Sequence, residues 1–129
     1  MEKIILEATE RTPYVALDHA AHHMVMRGES YPEDAAAFFG PLQQALRSFL
    51  DSPDGDQLVV DLELSYFNSS SAKALMNLFV LLEQAASEGS KIQINWRFHK
   101  DDDTMQEFGE DFAEDFEHAS FVLCPLQDA

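Results

Sequence analysis

Two segments in the second half of the chain alternate between apolar and polar residues, as a strand with one buried face does. In Leu58 to Leu64 the leucines and a valine are separated by Val59, Asp61 and Glu63, and Ile92 to Phe98 alternates more cleanly. Strands of a doubly wound parallel sheet are buried on both faces and read as continuous apolar runs. The alternation therefore predicts an α/β fold, in which helices cover mainly one face of a mixed sheet and the other face is largely wet.

Shorter apolar runs supply the other predicted strands. Ile4 to Leu6 is a strand candidate, and Tyr14 to Leu17 with His22 to Met26 make a plausible hairpin. Near the end of the chain, Phe121 to Leu123 forms either a last short strand or a docked tail.

A first helix is predicted after a loop at Gly28 to Asp34. Ser30 is a candidate cap for it, with Pro32 near the first helical position and Glu33 as a capping-box partner. Because proline removes a backbone donor and disfavours helix at the preceding residue, we expect a kink or a restart at Pro41. One buried face is predicted by a stripe consisting of Phe38, Phe39, Leu42, Leu46, Phe49 and Leu50.

Two further helices follow. Ala72 to Ala86 is apolar at helical spacing, and Gly89 is a C-cap signal after it. The third helix is predicted from about Thr104 to Phe116. If the strands on either side of the long second helix are parallel, the unit from Leu58 to Phe98 is a right-handed crossover.

Three consecutive serines, Ser69, Ser70 and Ser71, lie where the first of these strands passes into the long helix. At a helix N-terminus the unpaired N–H groups and the positive end of the macrodipole favour anionic oxygen. A phosphoryl group on one of these hydroxyls would therefore meet ready donors. Serine is also a common helix cap, so the junction is either a phosphorylation switch or an ordinary capped end.

A second row of residues lies on the long helix, away from the face that is predicted to be buried in the core. If the helix extends back to Ser69, then Lys73, Met76 and Val80 continue from it at spacings of four, three and four residues. Lys73 could pair with a phosphate on Ser69, and a partner could cover the two apolar side chains. The alternative is that Met76 and Val80 pack against a neighbouring helix.

Composition limits the class of protein. At 129 residues the chain is most simply one domain, residues 1–129, and its 8 basic against 24 acidic residues give a net charge of −16. Such a charge repels nucleic acid and anionic membranes, and no apolar run is long enough to span a bilayer. A single cysteine, Cys124, and an N-terminus without signal-peptide features favour the cytoplasm.

No enzyme motif or metal motif is convincing. A hydrolase elbow would place glycines around the nucleophile, whereas Asn68 and Ser70 flank Ser69, and no histidine is linked to it. His22 and His23 would point to opposite faces of a strand and could not share a metal ion. The nine carboxylates between Asp101 and Glu117 indicate a solvated helix face, which could also steer a basic partner.

Two stretches carry a family resemblance. Gly28 to Asp34 and Tyr66 to Lys73 resemble the signature segments of the SiaC family of bacterial regulatory phosphoproteins, and Trp96 and Glu107 to Glu110 also fit. The resemblance covers nearly the whole chain. It implies a fold similar to STAS domains and anti-sigma-factor antagonists, with no catalysis and no cofactor.

The resemblance also implies a partner-switching function. A kinase similar to anti-sigma-factor kinases would phosphorylate the protein, and a PP2C-like phosphatase would reverse the step. The unphosphorylated form would bind and activate a diguanylate cyclase, promoting biofilm or aggregation through cyclic di-GMP. An anti-sigma-factor antagonist acting on transcription is the alternative. Ser69 matches the family's phosphoacceptor, although Ser70 or Ser71 could take the phosphate instead. The partner surface implied around it consists of Tyr66, Phe67, Asn68, Ser70, Ser71, Lys73, Met76 and Val80.

Overall fold

The structure, a computed structural model, describes residues 3–126, so the ends of the predicted domain (residues 1–2 and 127–129) lie outside the described part. Within residues 3–126, six strands and three helices follow in the order β1 (Lys3–Leu6), β2 (Tyr14–Asp18), β3 (His23–Ser30), α1 (Ala35–Asp51), β4 (Gln57–Phe67), α2 (Ser69–Ser87), β5 (Lys91–His99), α3 (Asp103–Ala113) and β6 (Ser120–Leu126). A single 3₁₀ turn, Pro53–Asp56, joins α1 to β4.

The strands form one mixed sheet whose spatial order is the chain order. Strands β1 to β3 are antiparallel, whereas β3 to β6 are parallel and are joined by the three helices. Crossovers between parallel strands are right-handed as a rule, so crossovers that always step in the same direction place all their helices on the same face. This topology confirms the predicted α/β fold with helices over one face of a mixed sheet.

The core lies between that face and the helices. In β4 the buried positions are Leu58, Val60, Leu62 and Leu64, and in β5 they include Ile92, Ile94, Trp96 and Phe98, as the alternation predicted. Trp96 is enclosed by α3 and donates its indole N–H to the carbonyl oxygen of Met105 at 2.9 Å. At Gly109 a Cβ atom would lie within 2.8 Å of Trp96, so glycine allows α3 to approach the sheet closely.

The opposite face of the sheet carries a network of polar side chains around Asp61. Asp61, in β4, accepts hydrogen bonds from His23 at 2.7 Å, from Asn95 at 2.9 Å and from Arg97 at 2.9 Å. Partial burial alone would raise the pKa of Asp61, but these three donors outweigh it and lower the pKa. The register of three strands brings these side chains together. The network therefore links β3, β4 and β5 on the face that the helices do not cover.

The prediction of a loop at residues 28–34 is partly wrong. Strand β3 continues through Ser30, which is buried and does not cap α1. Asp34 is the cap, since its carboxylate accepts from the N–H of Ala37 at 3.1 Å. Pro32 and Glu33 therefore precede the helix. Strand β3 continues because its last residues pair with the end of β4, after a bulge beyond Gly28.

Helix boundaries differ from the predictions in three places. Helix α1 runs without a restart through Pro41, because the preceding residue, Gly40, has no Cβ for the proline ring to meet. Helix α2 begins at Ser69 rather than Ala72. Helix α3 ends at Ala113, so Phe116 lies in the following turn. The predicted cap at Gly89 is confirmed by its positive φ of 113°, and the last segment is a strand rather than a docked tail.

Candidate functional site

The junction between β4 and α2 is capped by Asn68 and not by a serine. The Asn68 side-chain oxygen accepts from the N–H of Ser71 at 2.9 Å, and the backbone carbonyl oxygen of Asn68 accepts from the N–H of Ala72 at 2.9 Å. Ser69 and Ser70 occupy the first helical turn, where backbone N–H groups have no intrahelical acceptor. The helix end therefore presents two N–H groups and its positive dipole to whatever lies beside them.

The three serines are not equivalent. Ser69 and Ser70 are exposed, whereas Ser71 has 0% of its surface accessible. The Ser71 hydroxyl lies 2.8 Å from the hydroxyl of Ser30 and donates to the Ser30 carbonyl oxygen at 3.0 Å. The same carbonyl oxygen accepts from the N–H of Asn68 at 3.0 Å. The end of β3 therefore fixes the first turn of α2 through a closed set of buried hydrogen bonds.

One face of α2 carries the row that was predicted from spacing. Ser69, Lys73, Met76 and Val80 are all exposed, and Met76 and Val80 leave 48% and 63% of their surfaces accessible. Lys73 makes no ion pair with any residue between 3 and 126. The structure thus places a free cation one turn beyond Ser69, followed by two apolar side chains.

Of the partner surface predicted around the junction, two members lie in the interior. Ser71 is buried as described, and Phe67 packs against Phe108 and Trp96 at ring-centroid distances of 4.7 and 6.1 Å. Phe67 is out of phase with Leu58 to Leu64, because the register between β3 and β4 shifts beyond Leu64: Gly28 pairs with Leu64, whereas Glu29 pairs with Tyr66. The shift turns the last residue of β4 into the core. Tyr66 is half exposed and contacts the ring of Tyr31 at 5.9 Å, which leaves it at the surface beside the junction.

The exposed row borders an apolar cleft of about 430 Å³ between α2 and the turn after α3. Phe79 forms its buried floor and Phe116 part of the far wall. The cleft is lined by Met76, Phe79, Val80, Glu83, Gln84, Ser87, Asp115, Phe116 and His118.

Glu83 clamps the far wall of the cleft to α2. Its carboxylate accepts from the N–H groups of Glu117, His118 and Ala119 at 3.0 to 3.1 Å, and the His118 ring nitrogen Nδ1 lies 2.9 Å from it. Partial burial alone would raise the pKa of Glu83, but these bonds outweigh it and lower the pKa from 4.5 to about 2. The turn after α3 is therefore held in place by a charged group.

The sequence interpretation missed both the cleft and the clamp. The signal was present, because the row that runs through Met76 and Val80 continues at the same spacing to Glu83, Gln84 and Ser87. The partner of Glu83 could not be read from the pattern, since residues 117–119 are more than thirty positions away.

The described part of the chain shows neither a metal site nor a membrane-spanning helix. Among residues 3–126 no group of three or more His, Cys, Asp or Glu side chains is placed to hold a metal ion. Within the same range no helix is both long and apolar enough to cross a membrane.

Comparisons with known proteins agree with one another. Residues 6–126 match the model of the SiaC family regulatory phosphoproteins. An uncharacterized protein of Pseudomonas aeruginosa strain UCBPP-PA14 is 34% identical over 116 residues, which are 89% of this chain and 90% of that relative.

Solved structures show the same likeness. The crystal structure of apo-SiaC from Pseudomonas aeruginosa has 34% identity and a TM-score of 0.85, over 96% of this chain and 99% of that one. A chain in the crystal structure of the diguanylate cyclase SiaD in complex with its activator SiaC, from the same organism, has 32% identity and a TM-score of 0.86. That match covers 94% of this chain and 98% of the other. The protein described here therefore belongs to the SiaC family of regulatory phosphoproteins.

Proposed function

We propose that this protein is an adaptor controlled by phosphorylation of Ser69, and that its unphosphorylated form binds and activates a diguanylate cyclase. The observation that carries the proposal is the match, over nearly all of both chains, to a structure whose SiaC is named as the activator of a cyclase. Activation requires only that the adaptor bind the active arrangement of the cyclase more tightly than the inactive one. The adaptor itself needs no catalytic group.

Geometry favours Ser69 as the phosphoacceptor. Its exposed hydroxyl stands at the first position of α2, beside free N–H groups and one turn from Lys73. Ser70 is exposed as well and, three residues before Lys73, is also within one turn of it. Ser69 is preferred because it matches the family's phosphoacceptor and begins the row that continues through Lys73 to Met76 and Val80. Phosphorylation of Ser71 would require the buried bonds to Ser30 to break and a dianion to enter the core.

The same geometry explains how a phosphate would block docking. A phosphoryl group adds about −1.5 to −2 charges and remains strongly hydrated. A partner that covers Met76 and Val80 would also have to remove water from this dianion, which is costly. We therefore expect the phosphorylated form to release the cyclase, and a PP2C-like phosphatase to restore binding after a kinase similar to anti-sigma-factor kinases has acted. Both reactions, and the adaptor itself, belong to the cytoplasm.

Binding and cyclase assays with three variants test the proposal. The Ser69→Ala variant should bind the purified cyclase and raise cyclic di-GMP production as the unphosphorylated native chain does. The Ser69→Asp variant should bind at least about tenfold more weakly, a loss of about 1.4 kcal/mol. Ser48→Asp is the matched control, because Ser48 is exposed on α1, a helix that contributes no residue to the serine junction or to the lining of the cleft. It should leave both assays unchanged.

Phosphopeptide mapping of the protein from its native cells locates the switch. A single phosphate on Ser69 is expected, whereas a phosphate on Ser70 would move the switch by one residue. Equal binding by Ser69→Ala and Ser69→Asp would remove Ser69 from the switch. Capture of an anti-sigma kinase, with no cyclase bound or activated, would instead assign the adaptor to transcription.

A further inference from the structure

A second cavity, of about 480 Å³, lies at the amino ends of the parallel strands β4, β5 and β6. Its walls are supplied by the turn before β3, by the first residues of β4 and β5, and by the residues around the start of β6. The serine junction lies at the other end of β4, so this cavity is separate from the switch. Its volume falls within the usual range for sites that receive small molecules.

The lining of this cavity carries cationic and titratable nitrogen atoms but no carboxylate. Lys91, His22 and His118 contribute to it, whereas no aspartate or glutamate of the described chain does. The chain as a whole has 24 acidic residues against 8 basic ones, so this lining runs against its overall charge. Lys91 is exposed and makes no ion pair within the described range. An anion that enters the cavity therefore meets a cation whose charge is not already compensated.

His22 is held in a fixed orientation by the backbone around it. Its φ of 52° lies in the left-handed region, which residues other than glycine seldom adopt and which recurs at ligand-binding sites. The ring nitrogen Nδ1 lies 2.9 Å from the carbonyl oxygen of Asp54 and 3.2 Å from that of Gln57. Carbonyl oxygens only accept, so Nδ1 carries a proton and Nε2 is the nitrogen left for a ligand.

His118 is oriented in the same way by a different partner. Its Nδ1 lies 2.9 Å from the Glu83 carboxylate, which again leaves Nε2 for a ligand. The cavity also has an apolar part, because Val59 lines it and is 37% exposed. One free cation and two oriented imidazoles are thus combined with an apolar patch.

We propose that this cavity binds a phosphate monoester, with its phosphoryl group between Lys91 and the Nε2 atoms of His22 and His118, and its organic group against Val59. A phosphoryl group presents three acceptor oxygens, which matches three nitrogen atoms supplied from three separate parts of the chain. Each Nε2 binds a phosphoryl oxygen through a shared proton, whether the imidazole or the phosphate supplies it. The inference does not rest on the adaptor function, because no residue of the serine junction takes part.

Two histidines oriented through Nδ1 are also typical of metal ligands. Two observations favour phosphate. The Lys91 ammonium lines the same cavity and repels a cation. Between residues 3 and 126 no group of three or more His, Cys, Asp or Glu side chains is placed to hold a metal ion.

NMR titration of the native full chain tests the site. Inorganic phosphate and phenyl phosphate are added at constant ionic strength and at a pH of about 6, where phosphate monoesters have their second pKa. The resonances of His22, Lys91 and His118 should shift together and saturate. Phenyl phosphate should bind more tightly than inorganic phosphate, because its ring covers Val59. Shifts that do not saturate, or that spread over the whole surface, would show an adventitious ion only and would overturn the proposal.

A pair of lysine variants locates the anion. Lys91→Gln should weaken binding of phenyl phosphate by about tenfold or more, since it removes a charge-assisted hydrogen bond. The matched control is Lys100→Gln, an exposed lysine about 30 Å away, just beyond the other end of β5. At that distance its charge is screened, and the affinity should stay within about twofold of the native value.

Two results would contradict the assignment. Equal affinity in Lys91→Gln and the native chain would remove the anion from this cavity. Saturable binding of Zn²⁺ to His22 and His118, without binding of either phosphate compound, would make the cavity a metal site instead.

Discussion

Replacement of Glu83 by glutamine tests the clamp that fixes the turn after α3. The folded pKa of about 2 lies about 2.5 pKa units below the ordinary value of 4.5. At 1.36 kcal/mol per unit this corresponds to at most about 3.4 kcal/mol of stability at pH 7. Because the side chain is 22% exposed, solvent screens part of this, and we expect a loss of about 2 kcal/mol in the glutamine variant.

The sign of the pH dependence follows from the lowered pKa. The carboxylate contributes its full stabilisation above pH 4.5 and loses it as the pH falls toward 2. At pH 3 about 40% of the linkage energy remains, so glutamine should then cost about 1 kcal/mol or less. Urea unfolding of both proteins at pH 7 and pH 3 measures the difference, and comparison at equal pH cancels the titration of the other carboxylates.

The control is Glu88→Gln, an exposed carboxylate near the end of the same helix. Its effect should stay within about 0.5 kcal/mol at both pH values. If Glu83→Gln costs the same amount at pH 7 and pH 3, then shape and not charge holds the turn, and the reasoning about the clamp is refuted.

Other substitutions test the packing of the fold and the serine junction. Gly109→Ala should destabilise the protein by about 1 to 3 kcal/mol, because the new methyl group would meet Trp96. Thermal unfolding of this variant and of the native protein measures the loss. Ser71→Ala should cost about 1 to 2 kcal/mol in urea unfolding, since it leaves a buried hydroxyl without its partner. Ser70→Ala should cost less than about 0.5 kcal/mol, and an equal loss in both serine variants would contradict the assigned difference in burial.

The sheet could be predicted because its strands bury one face. Alternation from Leu58 to Leu64 and from Ile92 to Phe98 marked the buried apolar positions correctly, and it argued against a doubly wound sheet. Strand ends were harder, because the final residues of β3 pair with β4 and owe their extended form to a neighbour rather than to local pattern. For the same reason Ser30 looked like a helix cap in sequence but is a buried strand residue.

The part of the candidate site that lies on α2 could be predicted from the sequence, whereas its contacts with other elements could not. Helical spacing placed Lys73, Met76 and Val80 on one exposed face, as the structure confirms. The difference between Ser69 and Ser71 depends on contact with β3, and the cleft depends on where the turn after α3 comes to rest. Both are tertiary contacts between distant parts of the chain, and neither leaves a local pattern.

The strands lie in the sheet in the same order as along the chain, and this order affects how the sheet assembles during synthesis. Each newly synthesised strand can pair with the strand made just before it, so the sheet can grow in one direction from β1 toward β6. At every stage the outermost strand is a hydrophobic edge that could pair with a second nascent chain. The last edge is blunted by chemistry, because Pro125 in β6 has no N–H with which to extend the ladder. Ribosome-bound chains that stop before β6 should therefore be the species most prone to aggregate.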